Sequence, residues 1–116
     1  MDNTSCKQQM IPLSNQGMLE QLLQKNNPTK QYTDDYILFF TADWCKACKK
    51  VSLYELMKST PTYTWLLCDV DTNTYSPGFC GVKTIPSFMI IKKGVHSQVY
   101  GSSITANVLD WIQHYS

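Results

Sequence analysis

The sequence predicts an α/β fold, a central mixed sheet flanked by helices on both faces. Three observations carry that prediction. The runs YILFF (36–40), YTWLLCDV (63–70) and SFMIIKK (87–93) are of strand length and nearly continuous in apolar residues, the pattern of strands covered on both sides. Segments with a 3.6-residue apolar stripe alternate with the first of these runs, which implies parallel pairing through crossover helices. Gly94 then marks a turn into HSQVYG (96–101), and the resulting hairpin adds antiparallel strands.

Taken in order, MIPL (10–13) reads as a short strand that Pro12 confines to an edge, since proline cannot donate to a ladder. SNQGMLEQLLQKNN (14–27) reads as a helix with Met18, Leu19, Leu22 and Leu23 on one stripe, ended by Asn26-Asn27-Pro28. PTKQYTDD (28–35) is a polar connection to the first buried strand. CKACKKVSLYELMKS (45–59) reads as one helix with Ala47, Cys48, Val51 and Tyr54 facing inward. DTNTYSPGFCG (71–81) reads as a loop holding about one helical turn. SSITANVLDWIQHYS closes the chain as a helix whose apolar face is Ile104, Val108, Trp111, Ile112 and Tyr115, with Ser102 or Ser103 as its cap.

The 116 residues suffice for a single domain spanning 1–116, with 1–9 expected to be a flexible start. A net charge of +1 with mixed signs disfavours binding to nucleic acid or a membrane surface through bulk charge. No apolar run approaches the roughly 18 residues of a membrane span. The N-terminal stretch lacks the basic and apolar regions of a secretory signal, and the five cysteines are odd in number and irregular in spacing, unlike a secreted disulfide scaffold. The expected location is therefore the cytoplasm, a reducing compartment. No glycine-rich phosphate loop and no Ser/His/Asp arrangement is present.

Chemistry concentrates in FFTADWCKACKK (39–50), where Cys45 and Cys48 stand three apart. A metal clip, a redox couple and two inert buried thiols are the available readings. Zinc needs four ligands, and Cys6, Cys68, Cys80, His96 and His114 offer no second paired spacing. The pair lies where a buried strand turns into a helix. At a helix start, unpaired N–H groups favour negative charge on Cys45, and Lys46, Lys49 and Lys50 add positive potential. Thiolates in such surroundings have pKa values lowered from about 8.5 into a range of roughly 3.5–7.5. Cys45 is then the nucleophile, and the more enclosed Cys48 resolves the mixed disulfide.

With ADWCKACK (42–49), GVKTIP (81–86), the KKG turn (92–94) and Gly101 before the last helix, the sequence resembles the thioredoxin family over roughly residues 14–116. The motif is also similar to that of the C-terminal domain of the bacterial transmembrane reductant exporters. The resemblance implies the thioredoxin fold and a cis Ile85–Pro86 bond beside the cysteines. It also implies a substrate groove lined by Trp44, Ile85 and Pro86, with the main chain of Ile85 pairing the bound substrate strand. The implied activity is reduction or exchange of protein disulfides, with no metal or organic cofactor, by a monomer that draws electrons from a reductase or a small thiol.

The sequence departs from the family pattern in three places. Lys46-Ala47 stands between the cysteines where Gly-Pro is usual, which favours the thiolate and a more oxidising couple. Phe39 and Leu67 occupy the positions where relatives bury an acid and a lysine. Losing both leaves the fold unthreatened, because apolar replacement of a buried ion pair is often neutral or stabilising. It also removes the proton acceptor for Cys48, so release of the mixed disulfide is expected to slow unless water or Asp43 substitutes. This departure sustains a second reading, a thioredoxin-fold binding or structural module with weak or no turnover. Finally, Cys6, Cys68 and Cys80 are additional. Cys68 is expected in the core, Cys80 as a small buried hydrophobe and Cys6 in an exposed start. Asp69 and Asp71 read as a solvent face, and His96 and His114 as solvated and unpartnered.

Overall fold

The computed structural model describes residues 10–12 and 35–115. The expected helix at 14–27, the flexible start at 1–9 with Cys6, and most of the 28–35 connection lie outside the described residues.

Among the described residues six strands form one mixed sheet: β1 (Ile11–Pro12), β2 (Asp35–Thr41), β3 (Tyr63–Asp69), β4 (Ser87–Lys92), β5 (Val95–His96) and β6 (Tyr100–Gly101). The path runs β1-β3-β2-β4-β5, with β6 also pairing β4. β1 and β2 flank β3 in parallel, and β4 runs antiparallel to β2. β1 stands at the edge, where the missing N–H of Pro12 costs least. Among the described residues three α-helices accompany the sheet: α1 (Leu53–Ser59), α2 (Tyr75–Cys80) and α3 (Thr105–His114).

Strand alternation sends each buried run to two cores. Ile37, Phe39, Trp65, Phe88 and Ile90 meet Cys45, Cys48, Val51, Leu56, Val108 and Ile112 on one side. Leu38, Phe40, Leu66, Cys68, Met89 and Ile91 pack on the other, with Cys80 and Val82 against them. Double-sided burial is why these strands carry almost no polar residue. Between β4 and β5 the chain reverses in two residues, Lys93 and Gly94, both at positive φ (52° and 79°). That is the conformation the right-handed twist of a tight hairpin requires. Between β5 and β6 the strand gains one residue relative to β4, and there the Ser97 hydroxyl accepts the Ile90 N–H at 2.9 Å.

Two helices depart from the expectation. The segment expected as one helix over 45–59 is broken: residues Cys48–Lys50 form a three-residue 3₁₀ turn, Val51 is extended, and α1 begins afresh after Ser52. The Ser52 hydroxyl caps α1 by accepting the Glu55 N–H (3.4 Å), and the Ser52 N–H donates to Thr105 Oγ1 at 2.9 Å. Ser-x-x-Glu at 52–55 is a capping signature present in the sequence, and it outweighs the apolar periodicity running through it. Restarting the helix rotates Tyr54 outward, where it is exposed instead of inward-facing. Ile104 likewise lies just before α3 and is exposed, while the Ser102 hydroxyl accepts its N–H at 3.1 Å. Val108 and Ile112 form the buried face of α3, with Trp111 stacked on Tyr100 at 5.0 Å.

Candidate active site

β2 ends at Thr41 and delivers the cysteine motif at the end of the sheet where the parallel strands terminate, the usual place for a site in an open α/β sheet. The Cys45 N–H donates to the Ala42 carbonyl at 3.1 Å, closing the turn that leads off the strand. Cys45 and Cys48 are joined as a disulfide with Cα atoms 5.3 Å apart, and each residue is 5% exposed. The Cys48 N–H points at Cys45 Sγ at 3.1 Å. Because the helix restarts at Ser52, the favourable field at Cys45 comes from this directed N–H and the neighbouring lysines. The dipole of a long helix, expected from the sequence, does not start here, and a three-residue turn has too few aligned peptides to replace it.

Cys45 Sγ lies 3.9 Å from the Ile85 carbonyl oxygen, and the Ile85–Pro86 bond is cis. Pro86 is buried and Ile85 is half-buried. Beside them runs an open groove of about 390 Å³ lined by Trp44, Val70, Pro77, Val82, Thr84 and Ile85, with Lys83 the one charged residue among the described residues of its lining. Trp44 is 65% exposed, and its Nε1–H donates to Asp71 Oδ2 at 2.9 Å. The indole is pinned at its polar edge and offers its face to solvent. Gly101 backs the proline loop. A Cβ there would meet Thr84 Oγ1 and Ser87 Oγ at 3.4 Å. Lys46, Lys49 and Lys50 are exposed around the pair.

On the far side of Cys48 is a second cavity, about 350 Å³, walled by Phe39, Thr41, Leu67 and Asp69 from the sheet and by Asp43 and Lys49 from the motif. Phe39 pairs with Leu67 across β2 and β3, so the two apolar replacements are direct neighbours. Phe39 is 2% exposed and stacks on Phe88 at 5.1 Å. The next rung on the same face is Thr41 opposite Asp69.

The sequence reading missed two acids at this end of the sheet. Asp71, exposed as expected, carries the Trp44 hydrogen bond, and half-buried Asp69 lines the cavity. Their signal was position, since Asp-Val-Asp begins at the last residue of a buried strand of an α/β sheet. His114 is not unpartnered either: its Nδ1 lies 3.2 Å from Asp110 Oδ1 one turn back, an exposed pair worth little. Cys68 is fully buried, and burial first, then the charges of Cys80 and Asp69, push its thiol up to about 12. Burial pushes Cys80 up to about 11. Neither is a nucleophile near neutrality.

A mixed sheet that presents a Cys-x-x-Cys disulfide beside a proline loop defines the class of dithiol proteins built on the thioredoxin fold. The family model for thioredoxin matches residues 19–114, and the chain belongs to the thioredoxin family. It is 38% identical over 74 residues to an H-type thioredoxin of Ricinus communis, covering 62% of this chain and 60% of that protein. It is 33% identical over 91 residues to the mitochondrial thioredoxin-3 of Saccharomyces cerevisiae, covering 77% of this chain and 68% of that protein. The match thus spans about three-fifths of the Ricinus relative's length. The crystal structure of oxidised yeast mitochondrial thioredoxin 3 superimposes with a TM-score of 0.79 at 23% identity, covering 95% of this chain and 99% of that one. Among the described residues, no helix is long and apolar enough to cross a membrane.

Proposed function

We propose that this chain is a thiol–disulfide oxidoreductase that reduces or exchanges protein disulfides through Cys45 and Cys48. The observation that carries the reading is the paired sulfurs at the lip of an apolar groove, with Cys45 Sγ 3.9 Å from the Ile85 carbonyl. In the reduced protein, the Cys45 thiolate attacks one sulfur of a substrate disulfide and the other sulfur leaves as a thiol. Cys48 then attacks Cys45, the mixed disulfide breaks, and the Cys45–Cys48 bond forms. The Cys48 N–H and the surrounding lysines favour negative charge on Cys45. Trp44 and Ile85 line the substrate's path, with Pro86 packed behind them, and the Ile85 main chain pairs with an extended substrate segment.

The couple itself carries the electrons, so the mechanism calls for no metal or organic cofactor. Partners are protein disulfides and a reductase or small thiol that regenerates the dithiol, and the protein acts as a monomer. Among the described residues two thiols stand outside the couple, Cys68 and Cys80, and they suit a reducing compartment such as the cytoplasm. The test is a Cys48→Ser variant incubated with oxidised proteins. Mixed disulfides mapping to Cys45 are expected. No trapped species, together with no reduction of a generic protein disulfide by the parent chain, would favour the binding-module reading that Phe39 and Leu67 sustain.

A further inference from the structure

We propose that Asp69 is the proton acceptor for Cys48, acting through water in the cavity behind the cysteine pair; the inference rests on the dithiol-exchange reading above. Cys48 must lose a proton before its sulfur can attack Cys45, yet the residue is 5% exposed. The cavity it lines holds about 350 Å³, room for several waters, and polar groups are present to hold them. Among the described residues, the titratable side chains facing that space besides Cys48 are Asp43 and Lys49 from the motif and Asp69 from β3, and the sheet rung beneath them, Phe39 and Leu67, has none.

Of the two acids, Asp69 is the one held in place. Asp43 is exposed on the motif loop, whereas Asp69 is half-buried at the end of β3. Its Oδ1 accepts the Asp71 N–H at 2.9 Å, and Asp71 in turn holds the Trp44 indole at 2.9 Å. Among the described residues no donor takes up Asp69 Oδ2, so that oxygen is available to the cavity's water. The nearby Cys68 thiol stays protonated at neutrality and does not compete. The acid therefore stands one polar rung, Thr41 opposite Asp69, beyond the apolar rung of Phe39 and Leu67. There it remains hydrated and avoids the penalty of a buried carboxylate. Lys49, on the same wall, offsets the negative charge that develops on Cys48.

The step balances without an external reagent. The Cys48 proton passes through water to the Asp69 carboxylate. The Cys48 thiolate attacks Cys45 Sγ, the Cys45–substrate S–S bond breaks, and its electron pair leaves on the substrate sulfur. That sulfur is protonated from solvent, and Asp69 returns its proton to solvent. Asp69 acts on Cys48 through water and touches no reacting sulfur.

The experiment mixes reduced protein with a model peptide disulfide, quenches with acid at intervals, and counts mixed and internal disulfide by intact mass across a pH series. Asp69→Asn keeps the acceptor for the Asp71 N–H and removes the base. It is expected to accumulate the mixed disulfide and to slow resolution by about a hundredfold near neutrality, the lower end of general-base effects. The deficit shrinks as rising pH ionises Cys48 directly, and Asp69→Glu recovers part of the rate. Formation of the mixed disulfide, measured with Cys48→Ser also present, changes less than about twofold, and Asp43→Asn resolves like the parent. Parent-like resolution by Asp69→Asn at every pH overturns the proposal, as does a loss carried by Asp43→Asn instead. A parent chain that forms neither mixed nor internal disulfide refutes the exchange reading itself, and the assignment of Asp69 falls with it.

Discussion

Replacing Phe39 with alanine is the sharpest stability test of the rung beneath the site. The ring is 2% exposed and stacked on Phe88 at 5.1 Å with planes 22° apart. Truncating a buried phenylalanine costs about 3–5 kcal/mol, of which an aromatic pair supplies about 0.5–1.5 kcal/mol beyond its buried area. Phe39 also walls the cavity behind Cys48, so the hole opens onto space that already admits water and part of the penalty relaxes. The expected loss is about 3–4 kcal/mol, or about 12–16 °C in Tm for a domain of this size. Urea unfolding of the oxidised protein measures it, and a double-mutant cycle with Phe88→Ala should return a coupling of about 0.5–1.5 kcal/mol. A loss below about 1 kcal/mol, or no coupling, would contradict the claim that apolar packing has taken over the position where relatives bury an acid.

The other expectations follow from individual contacts. Thr60 Oγ1 donates to the Leu56 carbonyl at 2.7 Å and accepts the buried Trp65 indole N–H at 3.0 Å. Thr60→Val strands that N–H and should cost about 1–3 kcal/mol by chemical denaturation. Trp44→Ala removes an exposed side chain, so stability should move by less than about 0.5 kcal/mol, while kcat/KM for a protein disulfide falls several-fold; an unchanged kcat/KM removes Trp44 from the substrate path. The raised thiols of Cys68 and Cys80 predict alkaline sensitivity. Both are neutral in the folded chain up to about 12 and about 11, whereas unfolded thiols ionise from about 9. The unfolded state therefore binds fewer protons in that window, and stability, intact below pH 9, falls as pH rises toward 11 and 12 by up to about 1.4 kcal/mol per unit per thiol. Cys68→Ala with Cys80→Ala should flatten this slope in urea titrations across pH.

The three buried strands were legible because double-sided burial leaves an unmistakable apolar run, and the Lys93-Gly94 reversal because a two-residue turn requires positive φ. The 45–59 segment misled because a helical period continues through a break made by one hydroxyl. Ser52 satisfies the Glu55 N–H and ties its own N–H to Thr105, a residue 53 positions away that no local pattern reveals. At the site, the motifs named Cys45, Cys48, Trp44, Ile85 and Pro86, and the structure puts Trp44 and Ile85 on one groove with Cys45 Sγ against the Ile85 carbonyl. Asp69 and Asp71 were not. Alternation along a strand end resembles a wet face until the motif loop folds over it, and only the β2–β3 register shows Asp69 level with Thr41, a rung above Phe39.

The most direct test is an ultraviolet thiolate titration of the reduced Cys48→Ser variant, with Cys6, Cys68 and Cys80 replaced so that Cys45 supplies the signal, and with mass mapping of iodoacetamide adducts at neutral pH. A substantial thiolate fraction at neutrality, with alkylation confined to Cys45, is the result predicted from the Cys48 N–H and the lysines that surround the sulfur. A sulfur that stays wholly protonated and unreactive at neutrality would contradict it, leaving a groove with no nucleophile at its lip.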